Sequence, residues 1–134
     1  LRAESPLAAS ALGCAAMVSA HATLAYLAVA VPALAGAVGG FVYWRRRGAG
    51  KIVAQLLALA QTLVIAQVAL GLLLLSDDRR SADDLHYVYG SLSLGALLVP
   101  WVYAPAAGAK RLAWFAGTSA VAAALAVRAF MTGS

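Results

Sequence analysis

Four apolar runs, each long enough to cross a bilayer and each closed by a short charged cluster, constrain this chain more than any other feature. Crossing the hydrocarbon core takes about 20 residues of helix. Such runs extend from about Met17 to Trp44, then over residues 52–75, 85–103 and 112–130. Arg45, Arg46 and Arg47 form a hard stop after the first. Of 134 residues, 63% are hydrophobic and 11% charged, too little charge to cover a soluble domain of this size. The reading is an all-α integral membrane protein, a single domain of four transmembrane helices. Its loops are short, so neighbouring helices run antiparallel in an up-down-up-down bundle. Residues 1–16 exceed what the first span needs and form a helical extension or an interfacial segment. No basic run precedes the apolar stretch 7–18 and no clear cleavage pattern follows it, so no signal peptide is expected.

The charges are sorted by side. In a soluble protein a net charge of +5 would point to nucleic acid or an acidic partner. Here the cations sit at helix ends, with neither a phosphate-cradling glycine loop nor a basic-aromatic groove, so no nucleic-acid partner is expected. One side carries Arg45, Arg46, Arg47, Lys51, Lys110 and Arg111 and no acid. The other carries Arg2, Arg79, Arg80 and Arg128 with all five acids: Glu4, Asp77, Asp78, Asp83 and Asp84. The positive-inside rule puts the six-cation side in the cytoplasm. A multi-pass protein of the cell inner (cytoplasmic) membrane follows, with both termini outside. Tyr43, Trp44, Trp101, Tyr103 and Trp114 read as anchors at the inner interface and Tyr87 at the outer one. Gly36 and Gly40 form a GxxxG pair of the kind that brings helix backbones close in lipid.

The chain has two histidines, and they match in depth. His21 lies 24 positions before Arg45, and His86 lies 24 positions before Lys110. Each helix also carries a proline in its inner half, Pro32 and Pro100, and a Val-Tyr near its inner end. Two repeated helix pairs, each opening with a histidine, organise the sequence this way. Helices 1 and 3 of a four-helix bundle face each other across a diagonal of roughly 12–14 Å. Two imidazoles reaching inward leave a gap suited to one iron atom in a macrocycle, which makes His21 and His86 candidate axial ligands of a haem b. A bare zinc or copper ion needs more ligands, and no third histidine or thiolate stands near. Positions four and seven residues after each histidine share its face. These are Ala25 and Ala28 after His21, and Gly90 and Ser93 after His86, all small enough to leave a slot for a flat ring. Small residues also pack helices wherever alanine is dense. Arg79 and Arg80 precede His86 and are placed either to pair propionates or to stand solvated among the four aspartates. Met17 and the lone Cys14 read as packing residues.

Three glutamines, Gln55, Gln61 and Gln67, lie in the second span and point to three different faces. The last opens the run Gln67-Val68-Ala69-Leu70-Gly71. A helix with an outer histidine, a Gln-x-x-Leu-Gly helix, an outer loop and a second histidine together resemble one four-helix half of the haem A synthase family. The resemblance runs from about His21 to the end. It implies His21 and His86 as axial ligands and Gln67, Leu70 and Gly71 as the helix-2 signature. Val18 and Ala22 stand where the family has a glutamate and an arginine, and its outer cysteine pair is missing. The resemblance therefore implies a haem-b-binding single bundle rather than haem A synthesis.

The functional expectation is a membrane b-type cytochrome with one bis-histidine haem near the outer face. Its work would be electron transfer or haem handling within a respiratory-type complex, beside other membrane subunits or a redox partner. The alternative is a cofactor-free accessory subunit that scaffolds a larger membrane assembly through its Ala/Gly faces. A stand-alone enzyme is less favoured than either. A transporter has little support, since no acid lies within a span and no broken helix pair is evident.

Overall fold

A computed structural model describes residues 5–133; Arg2 and Glu4 of the outer charge set lie outside the described residues. Four helices account for almost all of it: α1 Pro6–Trp44, α2 Lys51–Ser76, α3 Leu85–Tyr103 and α4 Ala109–Gly133. All four are long and apolar enough to cross a membrane. At 1.5 Å per residue, the 19 residues of α3 span about 29 Å, close to the thickness of a hydrocarbon core.

The helix ends follow from local chemistry. Ser5 caps α1, its hydroxyl accepting from the Ala8 N–H at 3.3 Å, and Pro6 takes the first turn, where its missing N–H costs nothing. The helix therefore begins eleven residues before Met17. Residues 6–16 are a helical extension and not a separate segment, with Leu7 and Leu12 exposed. Cys14 is the exception along it. Its thiol is buried and donates to Asp77 Oδ2 at 3.2 Å, tying the extension to the α2–α3 loop. α1 and α2 stop in the same way. Arg46 and Asp78 adopt positive φ, and the next N–H groups turn back to Val42 and Leu74 at 3.1 and 3.0 Å. These are Schellman turns, with a non-glycine residue in the left-handed position.

Contacts run antiparallel around the bundle, α1 against α2 and α4, and α3 against α4, while α1 and α3 make no close backbone approach. They stand on a diagonal, as the sequence implies. The α2–α3 seam is much sparser than the α1–α4 seam. The seams within the two helix pairs, α1–α2 and α3–α4, are of similar extent, and the seams between the pairs are not. The α1–α4 seam is also built differently from a GxxxG pair. A Cβ on Gly36 would come within 2.9 Å of the Ala120 nitrogen, and one on Gly39 within 2.9 Å of the Ala116 side chain. Gly40 has nothing within 4 Å and faces outward. The close approach thus follows an i, i+3 line, with the seam passing on the Gly39 side of Gly36 and leaving position 40 off the contact.

Two buried clusters fill the bundle. Ala35, Val53, Leu57, Ala60 and Leu112 pack the end near the α1–α2 loop. Ala28, Val64, Leu97 and Ala122 pack the middle. At the first of these ends Trp101 Nε1 donates to Gln61 Oε1 at 3.2 Å, and the Arg111 guanidinium lies 4.8 Å from the Phe115 ring. The opposite end, where the histidines lie, is hollow.

Candidate functional site

Beyond the middle cluster a cavity of about 430 Å³ opens between all four helices and the α2–α3 loop. Its walls are mostly apolar, and its volume falls in the ordinary range of small-molecule sites. Every site residue expected from sequence lies on it. His21, Ala25 and Ala28 come from α1, His86, Gly90 and Ser93 from α3, and Arg79 and Arg80 from the loop. Two of them have a different role from the one expected. Ala28 and Ser93 are 3% and 2% exposed, and the Ser93 hydroxyl donates to the Ala122 carbonyl at 2.9 Å. They form a closed floor, cross-linked to α4, in place of a free wall. Gly90 leaves the space open, with nothing within 4 Å of a Cβ placed there.

The two imidazoles are neighbours on this wall in an edge-to-face arrangement, with ring centroids 6.2 Å apart and planes at 69°. Each ring is seated on a glycine of the next helix. A Cβ at Gly71 would lie 3.3 Å from His21 Cε1, and one at Gly133 would lie 2.6 Å from His86 Nδ1. His86 Nδ1–H donates to the Ala129 carbonyl at 2.8 Å, which leaves its Nε2 lone pair unclaimed. His21 Nε2 stands 3.3 Å from Gln67 Nε2. His21 Nδ1 and Gln67 Oε1 are buried with no partner. Buried polar atoms are nearly always paired, so two orphans on one contact are unusual.

The mouth is cationic and hydrogen-bonded. The Schellman turn at Asp78 sends Arg79 and Arg80 over the cavity. Tyr87 is more than an interfacial anchor: its hydroxyl accepts from the Ser81 N–H at 2.7 Å, and its ring meets His86 edge to face at 5.7 Å. Phe130 of α4 packs on Tyr26 of α1 and closes the opposite rim. Met17 is not on the cavity wall. The three glutamines do separate as their spacing implies: Gln55 is exposed, Gln61 holds Trp101 and Gln67 meets His21.

Chemically, the site offers two imidazoles beside an apolar space, with two guanidinium groups at its mouth. Among the described residues no third His, Cys, Asp or Glu joins the pair, so it does not complete a four-ligand shell for a bare ion. The part of the site that sequence reading missed comes from α4. Ala129 contributes a backbone carbonyl and Gly133 an absent side chain, neither of which leaves a signal in composition or periodicity.

Fold and site together define a helical bundle, apolar enough to span a membrane, with a histidine-paired cavity at one end. No protein-family model, curated protein or solved structure matches the chain. Nothing in these comparisons links the chain to the haem A synthase family.

Proposed function

We propose that this protein is a membrane b-type cytochrome whose cavity holds one haem between His21 and His86. The observation that carries the reading is the spacing of the two rings. With metal–nitrogen bonds of about 2.0 Å and about 1.1 Å from nitrogen to ring centre, two imidazoles on one ion stand about 6.2 Å apart. The rings here are 6.2 Å apart. Other features agree with that occupant. The His86 contact to a backbone carbonyl is the outer partner that metal-bound histidines usually have. His21 Nδ1 is buried without a hydrogen-bond partner, so no protein group claims it. Ala25 and Gly90 leave room beside the rings, and Arg79 and Arg80 are placed to pair carboxylates at the mouth.

A bis-imidazole haem in an apolar pocket carries one electron, at a potential set by its ligands and its dry surroundings. The chain's own residues would supply the two nitrogens, keep water from the ring faces and fix the edge that meets solvent. Electron transfer or haem handling in a respiratory-type complex is the function this supports. The positive-inside rule places the cavity near the outer face of the cytoplasmic membrane, with both termini outside. The cofactor-free accessory reading has one observation in its favour. Gly40, Gly95 and Gly117 present bare backbone outward, the kind of surface on which another helix packs closely. The two readings are compatible, since a haem subunit can also be a complex subunit.

The test is an absorption spectrum of protein purified from haem-replete cells. A Soret band with sharp reduced α and β bands is expected, diminished in His21→Ala and His86→Ala. A colourless preparation refutes the proposal.

A further inference from the structure

The two histidines are neighbours on the cavity wall, but the protein holds them unequally. His86 is fixed on two sides. Its Nδ1–H is committed to the Ala129 carbonyl at 2.8 Å, and the Gly133 backbone lies against the ring so closely that a Cβ there would fall 2.6 Å from Nδ1. The tautomer and the rotamer are thus set before any ligand arrives, with Nε2 as the free donor. His21 is held less firmly, by Gln67: the side chain stands 3.3 Å from Nε2, beyond the usual range for such bonds, and the Gln67 backbone also acts on the ring without making a bond as short as that of His86. His21 Nδ1 and Gln67 Oε1 have no partner in good hydrogen-bond geometry among the described residues.

A carboxamide is both donor and acceptor, so Gln67 suits His21 in two states. When one ring nitrogen is a ligand, the other carries N–H, and Gln67 Oε1 can accept it. When the ring is released and turns its freed nitrogen to Gln67, that lone pair can accept from Gln67 Nε2–H. Nothing at His86 offers that choice. On the haem reading above, we infer that His86 is the permanent axial ligand and His21 the exchangeable one. Gln67 holds the released His21 ring while a small uncharged donor from outside takes its place. In such an exchange His21 would give up its place at the metal and the incoming donor would take it. No electron moves, and the released nitrogen pairs with Gln67. The site is then a ligand-admitting haem, and not one closed on both sides.

Hemin titration of the full chain in nanodiscs, comparing the unaltered protein with His21→Ala and His86→Ala, tests the inequality. Losing His21 is expected to weaken binding by no more than about 10-fold, and losing His86 by about 100-fold or more. Added imidazole should restore the six-coordinate spectrum of His21→Ala, which separates a lost ligand from a lost fold. Carbon monoxide should bind the reduced unaltered protein, and about 10-fold more weakly in Gln67→Leu. Equal losses in the two histidine variants, a larger loss in His21→Ala, or no response to saturating carbon monoxide each overturn the inference while leaving the haem intact. Failure of the unaltered protein to bind hemin overturns the haem reading as well. A haem-free readout stands beside these. With ¹⁵N-labelled histidine, His86 should show the Nδ1–H tautomer alone, and Gln67→Leu should move only the His21 signals. A mixed tautomer at His86 refutes its role as the fixed ligand.

Discussion

Gly133 has no side chain, and this is what lets His86 turn into the cavity and reach the Ala129 carbonyl. Gly71 does the same for His21 with more room, since a Cβ there would stand 3.3 Å from the ring. The two glycines therefore differ in consequence. Gly133→Ala should displace His86, break its hydrogen bond and weaken hemin binding by about 10-fold or more, as loss of an outer partner does for metal-bound histidine. Gly71→Ala should cost clearly less. A hemin titration that ranks the two the other way round would show that His86 is not held by its seat. These contacts also show what could and could not be read at this scale. The depth of His21 and His86, and the small residues four and seven positions on, are periodic facts, and each lies on the cavity. The Ala129 carbonyl and the bare Gly133 backbone depend on where the last turn of α4 meets the first turn of α3. No local pattern encodes that meeting. Gln67 fell between the two: its face could be computed, but not which ring that face would meet.

Helix existence followed from length and hydropathy, and the loop clusters placed the inner ends of α1 and α3 to the residue. The seams were less legible, because several small residues on one helix compete for a contact and only packing decides among them. Gly36 with Gly39, not Gly40, meets α4, where backbone atoms of Ala116 and Ala120 would lie 3.1 and 2.9 Å from a Cβ on Gly36. Neither helix can yield there without losing the neighbouring contacts. Gly36→Val should therefore destabilise the bundle by about 1–3 kcal/mol, the usual cost of overpacking. Gly40→Val points outward into open space and should be near neutral or slightly stabilising, since valine restricts the unfolded chain more than glycine does. Reversible unfolding in detergent, run on both variants, distinguishes the seams. Equal midpoints would mean that α1 and α4 do not meet along this line.

At the scale of the whole molecule, filling and charge run along the same axis. The end near Arg45, Arg46, Arg47, Lys51, Lys110 and Arg111 is packed by a buried cluster and tied by the Gln61–Trp101 bond. The end bearing Asp77, Asp78, Asp83 and Asp84 is hollow and holds both histidines. Orientation in the membrane thus decides which compartment meets the cavity mouth. Among the described residues, six cations with no acid at one end, against three with four acids at the other, favour the packed end in the cytoplasm. Single cysteines placed in a Cys14→Ala background report the answer. Gly48 lies in the α1–α2 loop and Ala82 in the α2–α3 loop, both exposed. In intact cells or spheroplasts, a membrane-impermeant maleimide should label Ala82→Cys, and should label Gly48→Cys only after lysis. The reverse pattern would put the mouth in the cytoplasm. It would also move any redox partner, and any donor reaching the His21 side of the site, to that compartment. The internal geometry of the two rings would stand unchanged, because the bundle holds His21 and His86 through its own helices whichever way it is inserted.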